Sequence, residues 1–133
     1  PSWIDRNGHM HEPHYLDLMA QASTRFLEEV GVDDAYRSAG FTYFSVESRL
    51  KYLREILAGQ NINILTGVLD ITEKKLHLLH RLQTEDGTIA ATCEATLIHV
   101  DLNTRASCVP NANVVTRLAA YAASYASLKQ TLD

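Results

Sequence analysis

The stretch PHYLDLMAQASTRFLEEVG, residues 13–31, decides how the rest of the chain must be arranged. Tyr15, Leu16, Met19, Ala22, Phe26, Leu27 and Val30 recur at helical spacing, with Asp17, Gln21, Thr24, Arg25 and Glu28 opposite. Pro13 suits a first turn, where its missing N–H has no helical partner anyway, and Gly31 suits the C-terminal cap. The spacing therefore predicts one helix of about five turns. Leu18 and Ala20 widen its apolar face beyond that of a surface helix, so something large must embrace it.

Downstream the chemistry changes period. After a connection from Asp33 to Gly40 with room for one helical turn, Phe44, Val46, Leu50 and Tyr52 alternate with Ser45, Glu47, Arg49 and Lys51. That reads as a strand from about 42 to 56, ending before Gly59. Ile62, Ile64, Thr66 and Val68 predict a second strand, and Leu76, Leu78, His80 and Leu82 a third. Asp86-Gly87 signals a tight hairpin leading into a fourth strand through Ile89, Ala91, Cys93, Ala95 and Leu97 to about Asp101. The tail from 113 to 132 is alanine-rich, with Val114, Leu118, Tyr121, Tyr125, Leu128 and Leu132 at steps of four and three, as in a packed helix. One long helix followed by four antiparallel strands is an α+β plan in which the sheet wraps the helix, with room for a short strand before it.

Bulk properties narrow the function. At 133 residues and 46% apolar content, residues 1–133 form a single domain able to bury a core without staples. A net charge of −4 argues against a broad nucleic-acid or anionic-membrane surface, and no apolar run is long enough to span a bilayer. Cys93 and Cys108 are too few for a disulfide framework, and no signal pattern opens the chain, so the expected location is the cytoplasm. The chain starts at Pro1 without an initiating methionine, which leaves room for residues upstream.

Upstream of the helix lies WIDRNGHM, residues 3–10. Gly8 lets the chain turn between Asp5 and the helix start, bringing a carboxylate within reach of N–H groups that have no helical partner. A helix start can hold the oxygen of a polarised carbonyl while a carboxylate attacks it or activates water. The plainer role for Asp5 is a turn carboxylate bonding the backbone of Asn7 or Gly8. His9, His11 and His14 invite a metal reading, yet no acidic or cysteine ligand at a recurring spacing completes a shell, and no metal or cofactor is expected. His77 and His80 fall on opposite faces of a strand and cannot share an ion. Arg49, Lys51, Arg54 and Arg81 form either a solvated strand surface or a grip for substrate phosphates. Arg49 and Lys51 share a face, and Arg54 lies on the other.

These residues together resemble hotdog-fold acyl-CoA thioesterases of the 4-hydroxybenzoyl-CoA thioesterase type, over Trp3 to Asp101. The D-x-N-G-H-M form of the family's D-x-x-G signature carries the likeness, supported by Tyr52-Leu53-Arg54-Glu55 before Gly59. Leu76-His77-Leu78-Leu79-His80 and Leu97-Ile98-His99-Val100-Asp101 resemble the betainyl-CoA thioesterase branch. The resemblance implies a hotdog fold with an added C-terminal helix and Asp5 as catalytic carboxylate, either nucleophile or general base. It also implies that the Glu12 backbone N–H polarises the thioester carbonyl, with Asn7, Gly8, His9 and Tyr15 around the substrate. It implies a homodimer or dimer of dimers with sites at subunit interfaces. His11 stands where the family usually has asparagine, and must replace it or alter the mechanism. A betainyl group would need aromatic faces for its trimethylammonium, and Trp3, Tyr15, Tyr43 and Phe44 are candidates beside their ordinary role in packing.

Two other functions compete with thioester hydrolysis. Asp5 and His9 could form the acid/base pair of a hotdog enoyl-CoA hydratase, but their spacing is four rather than five and glycine replaces proline between them. A non-catalytic module binding an acyl or quaternary-amine group is the third reading.

Overall fold

The computed structural model of the chain describes Met10 and residues 12–132, with side chains as far as residue 124. Helix α1 runs Glu12–Glu29 and a short α2 runs Asp34–Ser38. Strands β1 (Phe41–Tyr52), β2 (Ile62–Ile71), β3 (Lys75–Thr84) and β4 (Ile89–Asp101) precede α3 (Ala112–Leu132). The strands form one antiparallel sheet in the order β1-β4-β3-β2, with α1 across its inner face.

Local chemistry accounts for the boundaries. At the end of α1, Val32 donates to the Leu27 carbonyl (2.8 Å) and Gly31 to that of Glu28 (3.1 Å), while Gly31 adopts φ 101°. A side chain there would be strained, which is why glycine ends this helix. Gly87, at φ 86°, turns the β3–β4 hairpin, and Asp86 accepts from the Thr84 hydroxyl (2.6 Å) and the Thr88 N–H (3.0 Å). Asn111 caps α3 by accepting from Val114 N–H at 2.9 Å.

The first strand departs from its expected reading in two ways. It leaves the ladder after Tyr52 rather than near residue 56, because the N–H groups of Leu53 and Arg54 both converge on the Ala90 carbonyl (2.8 and 3.0 Å). It also carries a bulge: Ser45 pairs with Leu97 and Glu47 with Thr96, so Val46 is skipped and the alternation of faces reverses. Tyr43 therefore points at the core before the bulge and Leu50 after it, whereas Phe44 stands 40% exposed on the outer side. The expectation of Phe44 and Leu50 on one face fails for that reason.

Two apolar clusters lie along α1. Met10, Tyr15, Met19, Ile56, Leu82, Ala90, Ala91 and Cys93 pack around its first half. Phe26, Leu27, Val30, Val32, Tyr43, Leu76, Leu78 and Leu97 surround its second half, joined by Val114 and Leu118 of α3. Each buried aliphatic side chain contributes about 1.5–3 kcal/mol, so the larger cluster at the C-terminal end of α1 dominates the core. The helix sits against the sheet, but on a narrower face than expected: Tyr15, Met19, Ser23, Phe26 and Leu27 are buried, whereas Leu16 is 48% exposed and Ala20 is exposed too.

Candidate active site at the start of helix α1

The helix begins at Glu12, and helix geometry leaves its backbone N–H without an intrahelical partner. Pro13 contributes no N–H to the first turn. The chain entering the helix is pinned by the Met10 N–H donating to the Ile56 carbonyl at 2.8 Å. One turn on, Tyr15 is buried (4% exposed) and its ring meets that of Tyr52 edge to face, with centroids 4.9 Å apart and planes at 87°. Tyr52 is 49% exposed, so it covers Tyr15 on one side and faces solvent on the other. Burial raises the Tyr52 phenol above its ordinary pKa, and the Glu12 carboxylate adds to that rise. The helix start thus combines an N–H without a helical partner, a carboxylate side chain and two tyrosines that meet edge to face. Trp3, Asp5, Asn7, Gly8, His9 and His11 lie outside the described residues.

The remaining predicted residues fall elsewhere. Tyr43 pairs with His99 near the beginning of β1, roughly 30 Å along the strand from Tyr52 at ordinary strand rise, and Phe44 is on the outer face. Neither joins Tyr15. Lys51 and Arg81 both neighbour Thr92 in the ladder, and Arg49 neighbours Glu94, so these three cations share the sheet face turned away from α1. Arg49 lies 3.8 Å from both Glu47 and Glu94. Arg54 is exposed just beyond the strand end, close in sequence to Tyr52 and Ile56. The outer cations and the helix start are therefore on opposite sides of the sheet.

Two histidines that the sequence placed on strands are buried in contacts it did not foresee. His80, fully buried, is held between the Ser23 hydroxyl at Nε2 (2.7 Å) and the Thr66 hydroxyl at Nδ1 (2.8 Å), tying α1 to β3 and β2. Burial pushes its pKa down to about 4, so it is neutral. The signal in the sequence was a serine on the apolar stripe of α1 between Met19 and Phe26. His99 is ringed by Tyr36, Phe41 and Tyr43, accepts at Nε2 from the Tyr36 hydroxyl (2.7 Å) and donates from Nδ1 to the Cys108 carbonyl (3.0 Å). That carbonyl can only accept, so Nδ1 carries the proton and cannot take one from the Cys108 thiol 3.3 Å away. This cluster is a joint, not a nucleophile and its base.

A groove of about 550 Å³ runs between α1, β2 and α3, lined by Leu18, Arg25, Phe26, Ile64 and Tyr121 among others, and does not include the helix start. Among the described residues no group of three or more metal-ligating side chains comes together, and no helix is long and apolar enough to cross a membrane.

Comparison with known proteins agrees with this geometry. The family model of the thioesterase-like superfamily matches residues 1–122. The chain is 40% identical over 126 residues to the L-carnitine dehydrogenase/betainyl-CoA thioesterase of Ruegeria pomeroyi, covering 95% of this chain but only 26% of that protein. It is 31% identical over 130 residues to the betainyl-CoA thioesterase of Pseudomonas aeruginosa, covering 96% of this chain and 82% of that one. Among solved structures, a Staphylococcus aureus protein in complex with CoA superposes with a TM-score of 0.87 at 30% identity, over 91% of this chain and 77% of that one. The helix start, the antiparallel sheet around α1 and these matches converge: the chain belongs to the thioesterase-like superfamily and has its hotdog fold.

Proposed function

We propose that the chain hydrolyses a small acyl-CoA thioester, betainyl-CoA foremost, at the start of α1. The observation that carries this reading is the helix beginning at Glu12, directly after the Asp5-containing motif, in a chain similar along nearly its whole length to a betainyl-CoA thioesterase. The Glu12 N–H donates a hydrogen bond to the thioester oxygen and stabilises the negative charge that builds there. Asp5 then acts by one of two routes. As a nucleophile its carboxylate adds to the carbonyl carbon, the C–S bond breaks, and CoA thiolate leaves to take up a proton; water hydrolyses the resulting anhydride. As a general base it takes a proton from water while the water oxygen adds to the carbonyl, and the thiolate leaves in the same way. The resemblance assigns Asn7, Gly8 and His9 to substrate binding, and His11 either takes over the role of the family's asparagine or alters the mechanism.

The outer-face cations fit a dimer or dimer of dimers with the site at a subunit interface. Arg49, Lys51 and Arg81 cannot reach past their own sheet to α1, but could grip the phosphates of a CoA bound at a partner's helix start, with Arg54 at the strand end. The location that suits this chemistry is the cytoplasm.

The test is thiol release from a panel of betainyl, short aliphatic and aromatic CoA esters. Release that Asp5→Asn abolishes supports the reading. Tight ligand binding without release points to a binding module, and loss of the double bond of crotonyl-CoA to a hydratase. Light scattering showing a monomer at working concentration argues against the interface site.

A further inference from the structure

We infer that the Glu12 carboxylate and the Tyr52 ring, backed by Tyr15, select an acyl group carrying a quaternary ammonium next to the thioester carbonyl. This inference rests on the proposed hydrolysis at the start of α1 and goes further by assigning substrate choice to particular side chains.

Covalent geometry forces the location. A betainyl group is a trimethylated glycyl unit, so one methylene joins its nitrogen to its carbonyl carbon, and backbone bond lengths place the two about 2.5 Å apart. If the carbonyl oxygen rests on the Glu12 N–H, the cation can lie only against the first turn of α1. Among the described residues, the side chains there are Glu12 itself and Tyr15, three residues along on the same helix face, with Tyr52 against Tyr15 at 4.9 Å. Tyr43 and Phe44 of the same chain stand at the far end of β1, out of reach of this helix start.

The chemistry of these groups matches such a cation. A trimethylammonium group has no N–H to donate, so it is recognised by aromatic rings and by a carboxylate acting through charge alone. Tyr52 has one side against Tyr15 and is half exposed on the other, and the Glu12 carboxylate lies close enough to raise its phenol. The same carboxylate works against a neutral acyl group. Negative charge builds on the oxygen beside the Glu12 N–H as the tetrahedral intermediate forms, and a fixed anion on that residue opposes it. A cation one methylene away offsets the repulsion. Selection therefore has an attractive part in Tyr52 and a part in Glu12 that penalises uncharged competitors.

The test compares betainyl-CoA with 3,3-dimethylbutanoyl-CoA, which has the same shape with carbon in place of the charged nitrogen. Thiol release gives kcat/KM for each ester, and the ratio is the readout. In the wild-type chain the ratio favours betainyl-CoA by about tenfold or more. Glu12→Gln and Tyr52→Leu each lower it by about threefold or more, whereas Tyr52→Phe, which keeps the ring, retains it. Should Tyr52→Leu fail to fold by circular dichroism, Glu12→Gln, altered at an exposed side chain, carries the comparison. Thiol release from both esters with a ratio near one, or a ratio untouched by both variants, overturns the selection while leaving the hydrolase reading intact. No release from either ester overturns both.

Discussion

The two ends of α1 are built for different tasks. Its C-terminal half is enclosed by the larger apolar cluster, closed by a glycine cap and gripped by α3, whose Arg117 reaches the Glu29 carbonyl at 3.2 Å and whose Tyr121 hydroxyl reaches the Glu29 carboxylate at 3.2 Å. The N-terminal half has a smaller cluster, and its first turn brings an exposed carboxylate, a backbone N–H and the half-exposed Tyr52 to the surface. Between the halves the Ser23–His80–Thr66 clasp fixes the helix to the sheet. The difference teaches that one end anchors the helix while the other brings polar groups to the surface.

The comparison is broken most forcefully at the anchored end. Leu76→Ala empties a position with no exposure among Val68, Leu78 and Leu97 and is expected to cost about 3 kcal/mol in urea unfolding. At a temperature where the variant is fully folded, kcat for thiol release should stay near that of the unaltered chain. A fall in kcat as large as the fall in stability would mean that the two ends are not separable.

The clasp gives the next effect, and it depends on pH. Folded His80 titrates at about 4, whereas an unfolded histidine does so near 6.5. Between those values the unfolded chain binds more protons, so stability is full above about pH 6.5 and declines as pH falls towards 4, by up to about 3 kcal/mol from this group. Burial lowers His99 in the same direction. Urea melts across that window should show a flatter decline in His80→Gln than in the unaltered chain, and parallel declines would remove His80 from the account.

The smallest expected effect concerns the cap of α3. Asn111→Ala deletes the acceptor for the Val114 N–H and should lower stability by about 1 kcal/mol, read as a shift in the urea midpoint, with no change in substrate preference.

Most of this architecture was legible because burial imposes periods on the sequence. The long helix, the four strands in order, the Asp86-Gly87 hairpin and the C-terminal helix exist where their patterns place them, whereas β1 ends early and Leu16 and Ala20 of the α1 stripe are exposed. The bulge at Val46 left no mark, since any residue can be skipped in a ladder, and it moved Phe44 to the outer face. The histidine contacts were hidden for another reason: Ser23 and His80 are far apart in the chain, and only the fold shows that an odd polar residue on each apolar face answers the other. At the proposed site, Glu12 and Tyr15 were named only through the family resemblance. Tyr52 was read as a strand residue and as part of the strand-end motif but not as a site residue, because its contact with Tyr15 is tertiary.

The central claim is that thioester chemistry belongs to the free end of α1, and thiol release from betainyl-CoA by the unaltered chain and by Asp5→Asn tests it most directly. The account predicts release by the former and a loss of about 10²-fold or more in kcat for the latter, with urea unfolding of the two superimposable. Undiminished release by Asp5→Asn would contradict it.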